Sequence, residues 1–158
     1  GSTVEDVLVK AEGIMPQLDR LIQSRVLAGY DVVSRYLPSH RRQHERQQAL
    51  PERAVLERNL DAASKGLLFA PGLFTPFLSA VEEARSRPLV DRNLFAGTIM
   101  EMKLESLLFS QQGRWVAVAP LRGVADRREL ATTVERWRDE SVRYVEAQAV
   151  VDKHPTSC

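Results

Sequence analysis

The stretch LLFSQQGRWVAVA, residues 107–119, decides the fold class of this chain. It contains two apolar runs, 107–109 and 115–119, separated by a turn with Gly113. Short β-branched and aromatic runs joined by a glycine-containing turn are typical of a β-hairpin. We therefore expect antiparallel β-structure here, with a well-buried second strand.

The segments after the hairpin predict a helix and a strand. Gly123 ends the hairpin, and Asp126 and Glu129 have the spacing of a capping box at a helix N-terminus. The helix is expected to continue to Trp137, and residues 142–147 have the composition of a closing strand.

The N-terminal part predicts a helix followed by a strand. From Val4 to Ile22 the apolar residues recur at the spacing of an amphipathic helix. Pro16 is expected to bend this helix, and the stretch Ser-Thr-Val-Glu at its start has capping-box spacing. Residues 29–36 alternate in the manner of a strand, and Pro38 is expected to end it.

Residues 39–104 form a predicted helical insertion. Ser39 is the expected cap of a polar helix, and Pro51 fits the first turn of a second helix. Thr75 as a cap and Pro76 in the first turn predict a third helix. A short turn and a short helix are expected to complete the insertion.

This order of elements predicts a single α+β domain over residues 3–153. If a strand precedes Val4 in a longer parent protein, the pattern becomes a ferredoxin-like, porter-domain-like split βαβ sandwich with the helical insertion after its first strand. Residues 1–2, Gly-Ser, are typical of a tag-cleavage scar, which favours an excised piece of a longer protein. Residues 154–158 are expected to form a flexible tail.

Composition excludes several classes of protein. With 22 basic against 21 acidic side chains in 158 residues, the chain has no net field that would attract nucleic acid. The single cysteine, Cys158, excludes a disulfide framework and a multi-cysteine zinc site, and it leaves the redox compartment undetermined. No apolar run approaches the roughly 20 residues that span a bilayer, and no signal segment is recognisable.

The residues that usually carry catalysis are sparse. The sequence has three histidines, His40, His44 and His154, and it lacks a nucleophile elbow, a phosphate-binding loop and a dinucleotide fingerprint. His40 and His44 would share a helix face, but no third metal ligand is evident, and Arg41 and Arg42 would repel a cation. We predict that the chain is not an enzyme and holds neither a metal nor a cofactor.

An arginine-rich segment is the first candidate for an interaction surface. Between Arg35 and Arg58 lie six arginines against three glutamates. Such a patch could meet phosphates, anionic lipid headgroups or an acidic protein surface, although a solvated helix face is the simpler interpretation. Nucleic acid is not expected, because aromatic residues for base stacking are missing after Tyr36. The candidate interaction face consists of Arg41, Arg42, Arg46 and Arg53.

A phenylalanine-rich stretch is the second candidate. It surrounds glycines and prolines in the insertion, and its simpler interpretation is a small hydrophobic core for the inserted helices. In a protein that handles lipids the same side chains would line an apolar groove. The candidate groove residues are Phe69, Phe74, Phe77 and Phe95.

Several motifs, taken together, resemble a known family. They are MPQLDRL at 15–21, LAGY at 27–30, YLPS at 36–39 followed by Gln43, and WVAVAPLRGV at 115–124. In this order, with LFTPFL at 73–78 inside the insertion, the chain resembles an extracytoplasmic loop domain of the MMPL-type exporters in the resistance-nodulation-division superfamily. The likeness covers nearly the whole chain, and its motifs are soft patterns rather than a chemical fingerprint.

The resemblance implies a bacterial inner-membrane exporter that is driven by the proton gradient, with this domain on the periplasmic side. Its cargo would be lipidic or hydrophobic, of a fatty-acid-like or aryl-polyene pigment type. Its partners would be this cargo and the parent's membrane domain, with a periplasmic carrier protein as a further candidate. The family's proton-relay residues lie in membrane helices outside this chain, so no functional residue carries over. The alternative is a free-standing ferredoxin-like ligand-binding or protein-interaction module.

Overall fold

The computed structural model describes residues 1–70, 72–137 and 141–146. The helices within that range are α1 (Val4–Gln23), α2 (His40–Ala49), α3 (Arg53–Ala63), α4 (Thr75–Ser86), α5 (Ile99–Leu107) and α6 (Arg127–Arg136). The strands are β1 (Gly29–Tyr30), β2 (Leu108–Gln111), β3 (Arg114–Ala117) and β4 (Leu121–Arg122). Two 3₁₀ turns, Val33–Arg35 and Arg92–Phe95, complete the described elements. The predicted α+β class is confirmed, and the protein is mostly helical.

The chain divides into two compact units. The first combines Gly1–Met15 with Asp31–Ala119, and the second combines Pro16–Tyr30 with the chain from Pro120 onward. Helix α1 contributes its first part to one unit and its second part to the other, and Pro16 is the first residue of the second part.

The first unit holds the inserted helices and a β-hairpin. Its core is aliphatic, and the α1 residues in it lie at the predicted helical spacing. Strands β2 and β3 pair antiparallel from Leu108 opposite Ala117 to Gln111 opposite Arg114. The buried apolar residues are Val7, Leu8, Ala11, Val32, Val33, Leu37, Leu78, Leu104, Leu107 and Leu108.

The turn between β2 and β3 has the geometry that the glycine-containing sequence pattern predicts. Gln112 and Gly113 both have positive φ, 51° and 73°, as a two-residue hairpin turn of the primed type requires. The second strand is less buried than expected, because Trp115, Val116 and Ala117 are half-buried.

The second unit is built around a short antiparallel pair. Gly29 lies opposite Arg122 and Tyr30 opposite Leu121. The Tyr30 hydroxyl donates to Asp19 at 2.7 Å, so the buried ring keeps a hydrogen bond. The buried apolar residues of this unit are Leu18, Leu21, Val26, Leu27, Tyr30, Leu130 and Val134.

Two predictions about strands are wrong. The strand predicted over 29–36 ends at Tyr30, because β4 offers only two residues for pairing, and the chain then turns so that the Arg35 amide donates to the Val32 carbonyl. Residues 142–146 are not a strand, and residue 147 of that prediction lies outside the described residues. No ferredoxin-like sandwich is evident among the described residues, where the strands form two separate two-stranded sheets rather than one larger sheet.

Candidate functional site

The start of helix α2 is fixed by a buried carboxylate. Glu12 accepts from the Ser39 amide at 2.8 Å through Oε1 and from the Ser39 hydroxyl at 2.7 Å through Oε2. The Ser39 oxygen in turn accepts from the Arg42 amide at 3.1 Å, which confirms the predicted cap. Both Glu12 and Ser39 are buried, so this pair is part of the framework of the first unit.

A second carboxylate completes the cap. Glu5 accepts from the His40 amide at 2.9 Å and from the Arg41 amide at 3.2 Å. Helix N-termini attract anions because their first amides lack helical partners. Since Glu5 and the Ser39 hydroxyl oxygen already accept from these amides, the start of α2 does not offer a site for an external phosphate.

Gln43 joins α2 to the chain that precedes α5. Its Nε2 donates to the carbonyls of Pro38 and Val90, both at 2.9 Å, and its Oε1 accepts from the Val90 amide at 2.7 Å. The YLPS motif and the glutamine that follows it, which contribute to the family resemblance, therefore have a structural role in this fold.

Two arginines of the candidate interaction face lie near a carboxylate on the same helix. Arg41 and Arg42 are exposed, and both lie near Glu45, at 3.7 Å and 3.9 Å. At such exposed sites, pairs of this kind contribute little to stability and leave the guanidinium groups accessible. Arg46 is exposed on the same helix, and no ion pair within 4.0 Å is found for it among the described residues.

Arg53 lies on α3 and not on the α2 surface with the other three arginines. Its guanidinium binds Glu57 at 2.8 Å and Glu82 at 3.0 Å. These hydrogen bonds, with the one to Glu57 the larger, raise the pKa of Arg53 above its ordinary value. The structure thus places Arg41, Arg42 and Arg46 on α2, and it places Arg53 on α3, with one ion pair inside that helix and one to α4.

Helices α3 and α4 form an antiparallel hairpin with a polar base. Arg53, at the start of α3, pairs with Glu82 near the end of α4. Arg85 donates to the carbonyl of Leu50, and Gln47 donates to the carbonyl of Arg87 at 2.6 Å. Charged and amide side chains therefore hold the end of the hairpin that lies against α2.

The opposite end of the hairpin is apolar and exposed. We call the large apolar side chains at and beside the connection between α3 and α4 the apolar tip. Ordinary exposed apolar residues are scattered singly, whereas these lie within eleven consecutive positions. They are Leu67, Leu68, Phe69, Leu73 and Phe77, with exposed fractions of 57%, 106%, 47%, 54% and 50%.

The structure brings together three of the four predicted groove residues. Phe69 and Phe74 meet edge-to-face with their ring centroids 5.5 Å apart, and Phe77 follows on the first turns of α4. Phe95 is half-buried in the 3₁₀ turn that precedes α5, and no ring contact joins it to the others among the described residues. Because Phe69 and Phe77 are about half exposed, they present an apolar surface, and the groove remains a prediction.

An ion pair in the first unit was not predicted from sequence. Lys103 donates to Asp31 at 2.6 Å, and its ammonium lies 5.4 Å from the centre of the Tyr36 ring. Tyr36 also donates to Asp31, at 3.2 Å. The hydrogen bond from Lys103 holds the pKa of Asp31 below its ordinary value of 3.8, although burial opposes this shift. The same bond raises the pKa of Lys103 above 10.5.

The two described histidines have separate partners. His40 Nε2 lies 2.7 Å from Asp91, and Gln48 lies 2.9 Å from His44 Nε2. No group of three or more histidine, cysteine, aspartate or glutamate side chains that could hold a metal is found in residues 1–70, 72–137 and 141–146.

Within the same residues no helix is long and apolar enough to cross a bilayer. Comparison of the chain with models of protein families, with curated proteins and with solved structures finds no match.

The main features missed by sequence reasoning are Glu5, Glu12, the contacts of Gln43 and the Asp31–Lys103 pair. Their contacts join positions as far apart as 72 residues, so no local spacing indicates them. The apolar tip had a local signal, because residues 62–81 contain only one charged residue, Lys65.

Proposed function

We propose that this chain is the periplasmic domain of a proton-driven inner-membrane exporter of the MMPL type, which moves lipidic or hydrophobic molecules. The resemblance in motif order supports the family. The observation that carries the proposal is the apolar tip, because a surface of exposed leucine and phenylalanine side chains suits contact with hydrophobic molecules rather than with polar ones.

In this proposal the tip is part of the substrate path or of a docking surface. The family's porter-like split βαβ sandwich also belongs to the proposal. It would need at least one further strand from the parent protein, since the described strands form only two-stranded sheets. Proton coupling would lie in the parent's membrane helices, and the chain described here would act by binding and guiding rather than by catalysis.

A binding experiment with the 158-residue chain tests the role of the tip. A fluorescent fatty acid, held below the concentration at which it forms micelles, is titrated with the wild type and with the double variant Leu68→Ser, Phe77→Ser. We expect binding to the wild type and a several-fold weaker affinity in the variant, because both side chains are exposed and lose their apolar surface.

The double variant Ile99→Ser, Met102→Ser is the matched control. Both residues are also exposed, but they lie on α5, away in sequence from the tip. Unchanged affinity in this control is expected. No binding of the probe by the wild type, together with intact export by a parent protein that lacks residues 67–77, would remove the transport proposal.

The exposed arginines favour a second candidate, a free-standing protein-interaction module. Arg41, Arg42 and Arg46 are exposed on one helix, whose half-buried Gln43 and Gln47 side chains bond to the rest of the first unit. Charge reversal at these three positions that abolished binding of a partner, in a protein without membrane segments, would favour this candidate over the exporter.

A further inference from the structure

We propose that the apolar tip inserts into the interface of a phospholipid bilayer. The inference deepens the proposed function by naming what the tip contacts. It rests on that function only through the shared use of the tip, so it can hold for an exporter domain or for a free-standing protein.

The sequence around the tip is nearly free of charged residues. Between Asp61 and Glu82 the only charged residue is Lys65, whereas 27% of the whole chain is charged, so a stretch of this length would carry about five at the chain's average. A carboxylate would be repelled by anionic headgroups and would have to be desolvated, while a lysine beside the apolar residues is attracted to them. The charge pattern around the tip therefore suits a bilayer surface.

The α3–α4 hairpin holds its ion pairs away from the tip. Its ion pairs, Arg53 with Glu57 and Glu82, lie towards the base. Helix α3 has 11 residues and so extends about 16 Å, which separates the base from the tip. Interfacial apolar segments enter the headgroup and acyl boundary by about 5–10 Å. The tip can therefore enter to that depth while the ion pairs stay in water.

The apolar tip is too small to serve as a protein–protein interface by itself. Specific protein interfaces use about 20–30 residues on each side, and the tip offers five large apolar side chains on a helix connection. A second copy of the chain would thus gain little contact from the tip alone. A bilayer needs no complementary surface, since apolar side chains partition into it individually.

Flotation of the full chain with vesicles tests the proposal. The vesicles contain phosphatidylcholine with phosphatidylglycerol, and binding is measured for the wild type, for Leu68→Ser, Phe77→Ser and for the control Ile99→Ser, Met102→Ser. We expect the wild type and the control to float with the vesicles. The partition coefficient of the tip variant should fall about tenfold or more, because two large apolar side chains no longer insert.

Tryptophan fluorescence locates the contact. In Phe69→Trp the added indole should shift its emission to shorter wavelength on vesicles, and lipids brominated on their acyl chains should quench it. In Leu94→Trp, which alters an exposed apolar residue outside the tip, neither change in the added fluorescence is expected.

The outcomes separate this inference from the proposed function. Vesicle binding that the tip variant loses, without binding of the monomeric fatty acid, supports the bilayer contact and counts against cargo binding at the tip. Binding of the fatty acid without vesicle binding supports cargo binding at the tip and overturns the bilayer contact. Vesicle binding that persists in the tip variant, or a lipid-free dimer that the same variant dissociates, overturns the bilayer contact.

Discussion

At the scale of single residues, two buried polar side chains of the first unit, Glu12 and Ser39, bind each other. Glu12 has two hydrogen bonds to Ser39, and Ser39 is fully buried. A buried donor that loses its acceptor costs more than the hydrogen bond itself contributes, because water cannot replace the missing partner. These contacts join α1 to the start of α2, so they determine where the polar helix begins.

Replacing Glu12 should therefore be costly. We expect Glu12→Ala to lower the free energy of unfolding by about 2–4 kcal/mol, since it leaves the Ser39 amide and hydroxyl without their acceptor. The exposed Glu45→Ala is the control and should change stability by less than about 0.5 kcal/mol. Urea unfolding followed by circular dichroism measures both, and equal midpoints for the two variants would contradict the assignment of Glu12.

The Asp31–Lys103 pair predicts a dependence of stability on pH. Because the folded state lowers the pKa of Asp31 below 3.8, the pair stabilises the fold fully above that pH. This contribution is lost as the pH falls below 3.8 through the lowered pKa. Asp31→Asn should therefore be less stable than the wild type at pH 6, and the difference in urea midpoint should shrink by pH 3. A difference that stays constant between these values would contradict the pair.

At the scale of elements, the helices were more predictable than the strands, although Thr75 is the first residue of α4 rather than its cap, and Pro51 precedes α3 instead of lying in its first turn. Caps and apolar spacing are local, and they correctly indicate α2 after Ser39 and α6 after Asp126, whose carboxylate accepts from the amides of Arg128 and Glu129. At α1 the capping pair is Thr3 with Asp6, one residue later than expected. A strand also needs a partner, and the partner of 29–36 ends after two residues, which the local alternation does not reveal.

The end of β4 is set by Gly123. Its φ is +59°, and a Cβ built there would lie 2.6 Å from the Cβ of Ala28. We expect Gly123→Ala to destabilise the protein by about 2–4 kcal/mol, since it adds a steric clash to the cost of positive φ. Gly66→Ala is the matched control, because Gly66 has φ +83° with open space around it, and it should cost about 1–2 kcal/mol. Urea unfolding compares them, and an equal loss in both variants would show that the contact with Ala28 has no effect.

At the scale of the whole molecule, a net charge of +1 conceals an uneven distribution. Arginines are concentrated on and near α2, while residues 62–81 carry a single charge. The candidate site followed only partly from the sequence: the phenylalanine cluster pointed to the apolar tip, but Phe95 lies apart from it and Arg53 is engaged in ion pairs. The Arg53 pair with Glu82 joins positions 29 residues apart, so no local spacing indicates it.

If this domain belongs to a membrane exporter, as we propose, its parent protein has membrane-spanning segments. The most direct measurement is the sequence of the parent reading frame on both sides of residues 3–153. We expect flanking apolar segments of roughly 20 residues, each long enough to cross a bilayer, and a strand-like stretch before Val4. A frame without such segments would contradict the exporter assignment and leave the protein-interaction module as the function to be tested.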